Sequence, residues 1–169
     1  MKRLCWFICF VFISFFLAAQ EIDKVRGMYL DAAKDRQYAT EFLQYFRQNP
    51  PQSSLLIGYH ALSLAMCADI TTGKFNQYRM FNQGKHKLDS IILIDADNAE
   101  IRYLRFAIQD NAPEFLGYDN REEDLAVILR NIDQLGRIEN KELKRVMKSV
   151  FLKSDMISEE QKKLFKSKL

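Results

Sequence analysis

The sequence predicts an all-α fold, and three observations support that class. Apolar residues recur at helical spacing along most of the chain, and sustained strand-like alternation does not occur. Glycine and proline number only six and three, and all three prolines and three of the glycines fall between the periodic stretches. Side chains able to cap a helix precede several of these stretches. About eight helices are therefore expected.

The expected helices follow one another through short connections. Their approximate ranges are 21–34, 36–48, 53–70, 74–94, 98–111, 120–135, 141–153 and 158–167. Pro50 and Pro51 cannot continue a helix and close the second one. Three later starts show the pattern of a capping box: Asp97 with Glu100, Asp119 with Glu122, and Ser158 with Gln161.

The beginning of the chain has the order of a secretory signal peptide. Lys2 and Arg3 precede an apolar run over residues 4–17, and small residues follow up to Ala19. We expect cleavage after Ala19, one all-helical domain over residues 20–169, and a periplasmic or extracellular protein. The apolar run is short for a bilayer span, and an uncleaved membrane anchor is the alternative.

The charge balance gives no support for nucleic-acid binding. The chain holds 25 Lys and Arg against 22 Asp and Glu, and two of those cations, Lys2 and Arg3, belong to the predicted signal peptide. The remainder is nearly neutral, so no global field would attract a polyanion. Cys67 is the only thiol outside the predicted signal peptide, and it has no partner for an internal disulfide.

No motif in the sequence predicts an enzyme, a metal site or a cofactor. His60 and Cys67 lie on one helix face but about 10 Å apart along its axis, too far for a nucleophile and its base. His86 is the only other histidine, so a zinc site would need carboxylates that no spacing indicates.

Four of the expected helices carry an apolar triad at the spacing i, i+3, i+7. The triads are Ile22/Val25/Tyr29, Tyr59/Leu62/Met66, Ile101/Leu104/Ile108 and Leu143/Val146/Val150. The last three are offset by 42 residues each time, and the first by 37. This repetition predicts stacked antiparallel helix hairpins, with an irregular α-helical bundle as the alternative.

Residues 58–98 resemble a tetratricopeptide unit. Gly58-Tyr59-His60-Ala61-Leu62 is similar to the small-and-aromatic run of that family's first helix. Residues 88–98 are similar to the end of its second helix, where an apolar helix runs into Asp-Pro-x-Asn, although Ala96 stands in place of the proline. The resemblance implies a scaffold that binds a protein or a peptide, and not a catalyst.

A polar stripe forms the first candidate binding surface. Arg102, Arg105 and Gln109 lie beside an apolar triad at the same spacing, and His60 and Ser63 belong to the counterpart 42 residues earlier. In a tetratricopeptide-like stack the first helices line the concave face. The resemblance therefore implies a groove whose two arginines bind carboxylates of a partner, such as its C-terminus. An ordinary solvated helix face is the alternative.

Two further segments are candidate contact sites. Phe115, Leu116 and Tyr118 are large apolar residues in a predicted loop, where they either fold back between hairpins or form an exposed patch. The segment Lys141–Leu169 holds nine Lys and Arg against four acids. This basic end could rest on an anionic membrane surface, or its cations could simply solubilise a terminal hairpin.

Overall fold

The computed structural model describes residues 19–169, which are helical and contain no strand. The all-α prediction is confirmed for this range. Residues 1–18 of the predicted signal peptide, which ends at Ala19, lie outside the described residues. The helices are α1 over 19–34, α2 (Ala39–Gln48), α3 (Ser54–Ile70), α4 (Lys74–Ile94), α5 (Ala99–Asn111), α6 (Arg121–Arg130), α7 (Ile132–Gly136), α8 (Lys141–Lys153) and α9 (Glu159–Lys168).

One predicted helix is divided in the structure. The stretch predicted over 120–135 forms α6 and α7, which meet at Asn131. The backbone N–H of Asn131 donates to the carbonyls of Val127 and Ile128, and its side-chain amide also donates to Val127. Asparagine competes for backbone groups in this way, which makes it a poor residue for a helix interior.

The capping predictions have mixed outcomes. Ser158 and Gln161 form the predicted capping box at the start of α9. The prediction for Asp97 was wrong by one residue, because Asn98 caps α5 by accepting hydrogen bonds from the N–H groups of Glu100 and Ile101. Asp119 does not cap α6 either, since its carboxylate accepts a hydrogen bond from the Arg121 side chain.

Helix α5 lies at the centre of the fold. Every residue from Ala99 to Gln109 is at most 7% exposed, so the helix is enclosed on all sides. Helices α3, α4, α6 and α7 pack against it. The ring of Phe151 on α8 lies 5.7 Å from that of Tyr103 and stacks on Phe165 of α9 at 4.0 Å. Burial of these apolar side chains supplies the main stabilisation of the fold.

Helices that follow one another along the chain also contact one another. The closest pair is α3 with α4, joined by a turn in which Gly73 adopts a positive φ of 90°. Helices α5 and α6, and α8 and α9, form further neighbouring pairs. The short turn before α6 ends at Gly117, whose φ of 57° is left-handed and favours glycine.

Candidate functional site

The predicted stripe on α5 is part of a buried ion-pair network. Arg105 donates two hydrogen bonds to Asp124 of α6, at 2.8 Å from Nε and 2.7 Å from Nη2. Arg102 donates to Asp124 at 3.1 Å and to Glu123 at 2.6 Å. Gln109 donates to Asp124 and accepts from the backbone N–H of Asn120 at 2.7 Å. The three stripe residues therefore join α5 to α6.

The electrostatics of this network match its geometry. Burial alone would lower the pKa of Arg105, but the hydrogen bonds and charge of Asp124 outweigh it and hold that pKa above its usual value. The hydrogen bond from Arg102 is the first cause that lowers the pKa of Glu123. Both arginines are only 5% exposed, whereas the side chain of Glu123 is 55% exposed. Glu123 is the edge of the network that solvent can reach.

This geometry changes the interpretation of the stripe. Neither an open groove nor an ordinary solvated face describes α5, because Arg102, Arg105 and Gln109 are buried and bonded to the chain's own groups. A carboxylate from outside could reach the arginines only by displacing Glu123 or Asp124. Recognition of a partner by this stripe stays a prediction.

A second buried network involves residues that the sequence did not single out for a site. Arg26 on α1 makes a bidentate pair with Glu100 of α5, at 2.9 and 2.7 Å. The hydroxyl of Tyr59 on α3 donates to the same carboxylate at 2.6 Å. Burial raises the pKa of Tyr59 well above its usual value, and the charge of Glu100 adds to that shift. Glu100 thus connects α1 and α3 to the central helix, although the sequence predicted only a capping role for this residue.

His60 and Ser63 have structural surroundings in α3. The Ser63 hydroxyl is buried and donates to the carbonyl of His60 at 2.7 Å. The imidazole stacks on the Phe46 ring, with centroids 5.0 Å apart, and its Nδ1 atom is buried without a hydrogen-bond partner. The Cys67 thiol donates to the backbone carbonyl of Ala39 at 3.0 Å. His60 and Cys67 therefore interact with different groups, the Phe46 ring and the Ala39 carbonyl.

The His60 ring should make stability depend on pH. Burial first, and the nearby charge of Lys87 second, lower the pKa of His60 to about 4 from an ordinary value of 6.5. The unfolded chain then binds more protons between these values, so stability falls as the pH drops from 6.5 towards 4. After a discount for partial exposure we expect a loss of about 1–2 kcal/mol.

Urea unfolding at pH 7 and pH 4.5 measures this loss, with a matched pair of variants as the reference. His60→Gln should show a smaller drop than the wild type, because the titrating group is gone. His86→Gln should keep the full drop, since His86 is exposed on α4. Equal drops in all three proteins would assign the dependence to carboxylates instead.

The three apolar residues of the loop between α5 and α6 divide between the two predicted arrangements, folded back onto the protein or exposed to solvent. Tyr118 folds back, with its ring 6.1 Å from that of Phe81 and its hydroxyl donating to Asp89 at 2.8 Å. Phe115 is 85% exposed, and Leu116 is half-buried. Only Phe115, of these three residues, offers an apolar side chain to a partner without rearrangement.

A larger exposed apolar surface lies where α3 turns into α4, and the sequence did not single it out. Phe75 and Tyr78 are 75% and 56% exposed and lie one turn apart on α4, and Ile70, at the end of α3, is 41% exposed. Tyr38, just before α2, is 40% exposed. Arg36, two residues earlier, pairs with Asp69 at 3.8 Å, which places this segment near the end of α3. We call Tyr38, Ile70, Phe75 and Tyr78 the hairpin tip.

The basic C-terminal segment forms the α8–α9 hairpin. Leu143, Met147 and Phe151 of α8 and Phe165 of α9 are buried, so the apolar faces of both helices pack into the core. Contact with an anionic membrane would then depend on lysine side chains. That contact stays a prediction.

Within residues 19–169, no group of three or more His, Cys, Asp or Glu side chains is placed to hold a metal ion. None of the helices in that range is both long and apolar enough to cross a membrane. No protein family, no curated protein and no solved structure matches the chain. The tetratricopeptide resemblance stays a prediction.

Proposed function

We propose that this chain is an exported helical scaffold that binds a protein or peptide partner, and that the hairpin tip carries the contact. The observation behind this proposal is the exposure of the tip. Four large apolar side chains at one end of the molecule are each at least 40% exposed. Clustered exposed apolar residues are typical of interaction surfaces, and aromatic residues dominate the binding energy of many interfaces.

The charges around the tip favour a particular kind of partner. Lys74 and Arg79 flank Phe75 and Tyr78 on α4, and both cations are exposed and without an ion-pair partner in the described part of the chain. Arg36 is balanced by Asp69. A protein segment with apolar side chains beside carboxylates would match this surface.

Site-specific crosslinking tests the proposal in the cells that make the protein. A photoreactive benzophenone amino acid at position 75 should capture a discrete partner. The same amino acid at position 93 is the control, because Leu93 is 85% exposed and lies at the other end of α4, about 27 Å away at 1.5 Å per residue. Equal capture from both positions would count against the tip.

Binding of the purified partner then provides a quantitative check. Phe75→Asp should weaken it by at least about tenfold, because a buried aromatic anchor would be lost. Leu93→Asp removes an equally exposed apolar side chain and should leave the affinity unchanged. Circular dichroism should show wild-type helix content for both variants. If Phe75→Asp binds as tightly as the wild type, the proposal is wrong.

A further inference from the structure

A groove between α6 and α9 has an apolar floor. It has a volume of about 310 Å³, and Met156 from the loop before α9 borders it. Leu125 and Ala126 lie one turn before Leu129 on α6, and the three side chains form the floor. Glu122 begins the same face, and Gln161 of α9 closes the opposite side.

Carboxylates outnumber cations on the α6 side of this groove. Glu122 lines the groove, and residues 119–124 hold four acids and one arginine. On the α9 side, residues 155–163 hold three acids and two lysines. Arg102 and Arg105 offset Glu123 and Asp124, Arg121 offsets Asp119, and Lys162 offsets Glu159. Glu122 forms no ion pair within the described residues. The α6 side of the rim is therefore negative on a nearly neutral chain.

Size and charge together define what the groove would accept. Its volume is at the lower end for ligand pockets, enough for an anchor side chain or two and not for a whole helix. The floor favours an apolar or aromatic anchor, and the rim favours neighbouring cations. The groove thus calls for an exposed aromatic residue with lysine or arginine beside it.

The same chain carries such a segment. Phe75 and Tyr78 project from the hairpin tip, and beside them lie Lys74 and Arg79, which form no ion pair within residues 19–169. We propose that the hairpin tip of one molecule docks in the α6–α9 groove of a second copy. This inference rests on the proposed function, because it names the partner of the tip.

The contact joins two different surfaces of the chain. Each copy offers one tip and one groove, so two copies that exchange tips reciprocally close as a two-fold dimer, whereas a one-sided contact builds rings or chains. In either arrangement association should increase as the concentration rises. Salt should weaken it, because the charges at the rim lie in contact with solvent.

Sedimentation velocity on the protein purified in its exported form tests this directly. The wild type should shift from monomers to larger species with concentration, and high salt should weaken the association by about tenfold. Phe75→Asp removes the tip anchor, and Ala126→Lys places a cation on the groove floor. Both positions are exposed, so both variants should fold. Each variant alone should stay monomeric, whereas Leu93→Asp should associate like the wild type.

Mixing the two variants gives the decisive result. Phe75→Asp still has an intact groove and Ala126→Lys an intact tip, so the mixture should form one-to-one dimers and nothing larger. A wild type that stays monomeric up to millimolar concentration would overturn the inference, and so would a mixture that stays monomeric. If the tip nevertheless captures another protein in cells, the proposed function stands without the self-docking.

Discussion

Replacing Arg105 by methionine is expected to lower the free energy of unfolding by about 3–5 kcal/mol. Arg105 makes two short hydrogen bonds to Asp124, whose side chain has no exposed surface. Methionine fills much of the same space but leaves the carboxylate buried with Arg102 as its only remaining cation, at 3.1 Å. A buried charge without its main partner is among the most costly defects in a folded protein. Urea unfolding followed by far-UV circular dichroism measures the change.

Two further variants separate the buried pair from the mere loss of an arginine. Arg145→Met removes an arginine that is 75% exposed and paired with Glu142, and it should unfold at nearly the wild-type urea concentration. The double variant Arg105→Met with Asp124→Leu should regain much of the lost stability, because no unpaired charge remains. If Arg105→Met behaves like Arg145→Met, the network has no structural role.

The fold class could be predicted because helices depend on local features. Spacing of apolar residues and the positions of glycine and proline placed most helix boundaries to within three residues, and the break between α6 and α7 is the exception. The misplaced cap at Asp97 shows the limit of local information. Asp97 and Asn98 are both good capping residues, but Asn98 caps the helix and Asp97 instead pairs with Arg130 of α6.

The buried networks could not be predicted from the same information. A polar stripe at i, i+3, i+7 is typical of a solvated helix face, and Arg102 and Arg105 fit that pattern. Their burial depends on Asp124, which lies in the first turn of the next helix. Only the packing of α6 on α5 brings these groups together.

The hairpin tip was equally hidden in the sequence. Phe75, Tyr78 and Phe81 recur every three residues on α4, as the buried face of a helix would. The structure covers Phe81 with Tyr118, while Phe75 and Tyr78 stay exposed. Periodicity shows which residues share a face, but not which part of that face another element covers.

Gly84→Ala is expected to destabilise the protein by about 1–2 kcal/mol net, although alanine is the better helix former. Gly84 lies where α4 crosses closest to α3, and a Cβ atom built there would be 2.7 Å from the carbonyl oxygen of Ala61 and 3.3 Å from the backbone nitrogen of Ala65. These neighbours are backbone atoms, so the two helices must move apart. Overpacking of this kind costs about 1–3 kcal/mol or more. It exceeds the gain of about 1 kcal/mol in helix propensity.

The same substitution at Gly27 should change the free energy of unfolding in the opposite direction. Gly27 is inside α1, and a Cβ atom there would meet nothing within 4 Å. Because no clash opposes it, the higher helix propensity of alanine should decide the effect, and Gly27→Ala should stabilise the protein by about 0.5–1 kcal/mol. Thermal unfolding of the two variants beside the wild type should therefore move the melting temperature in opposite directions. If both variants were stabilised, α3 and α4 would not be in the close contact that fixes the position of the hairpin tip.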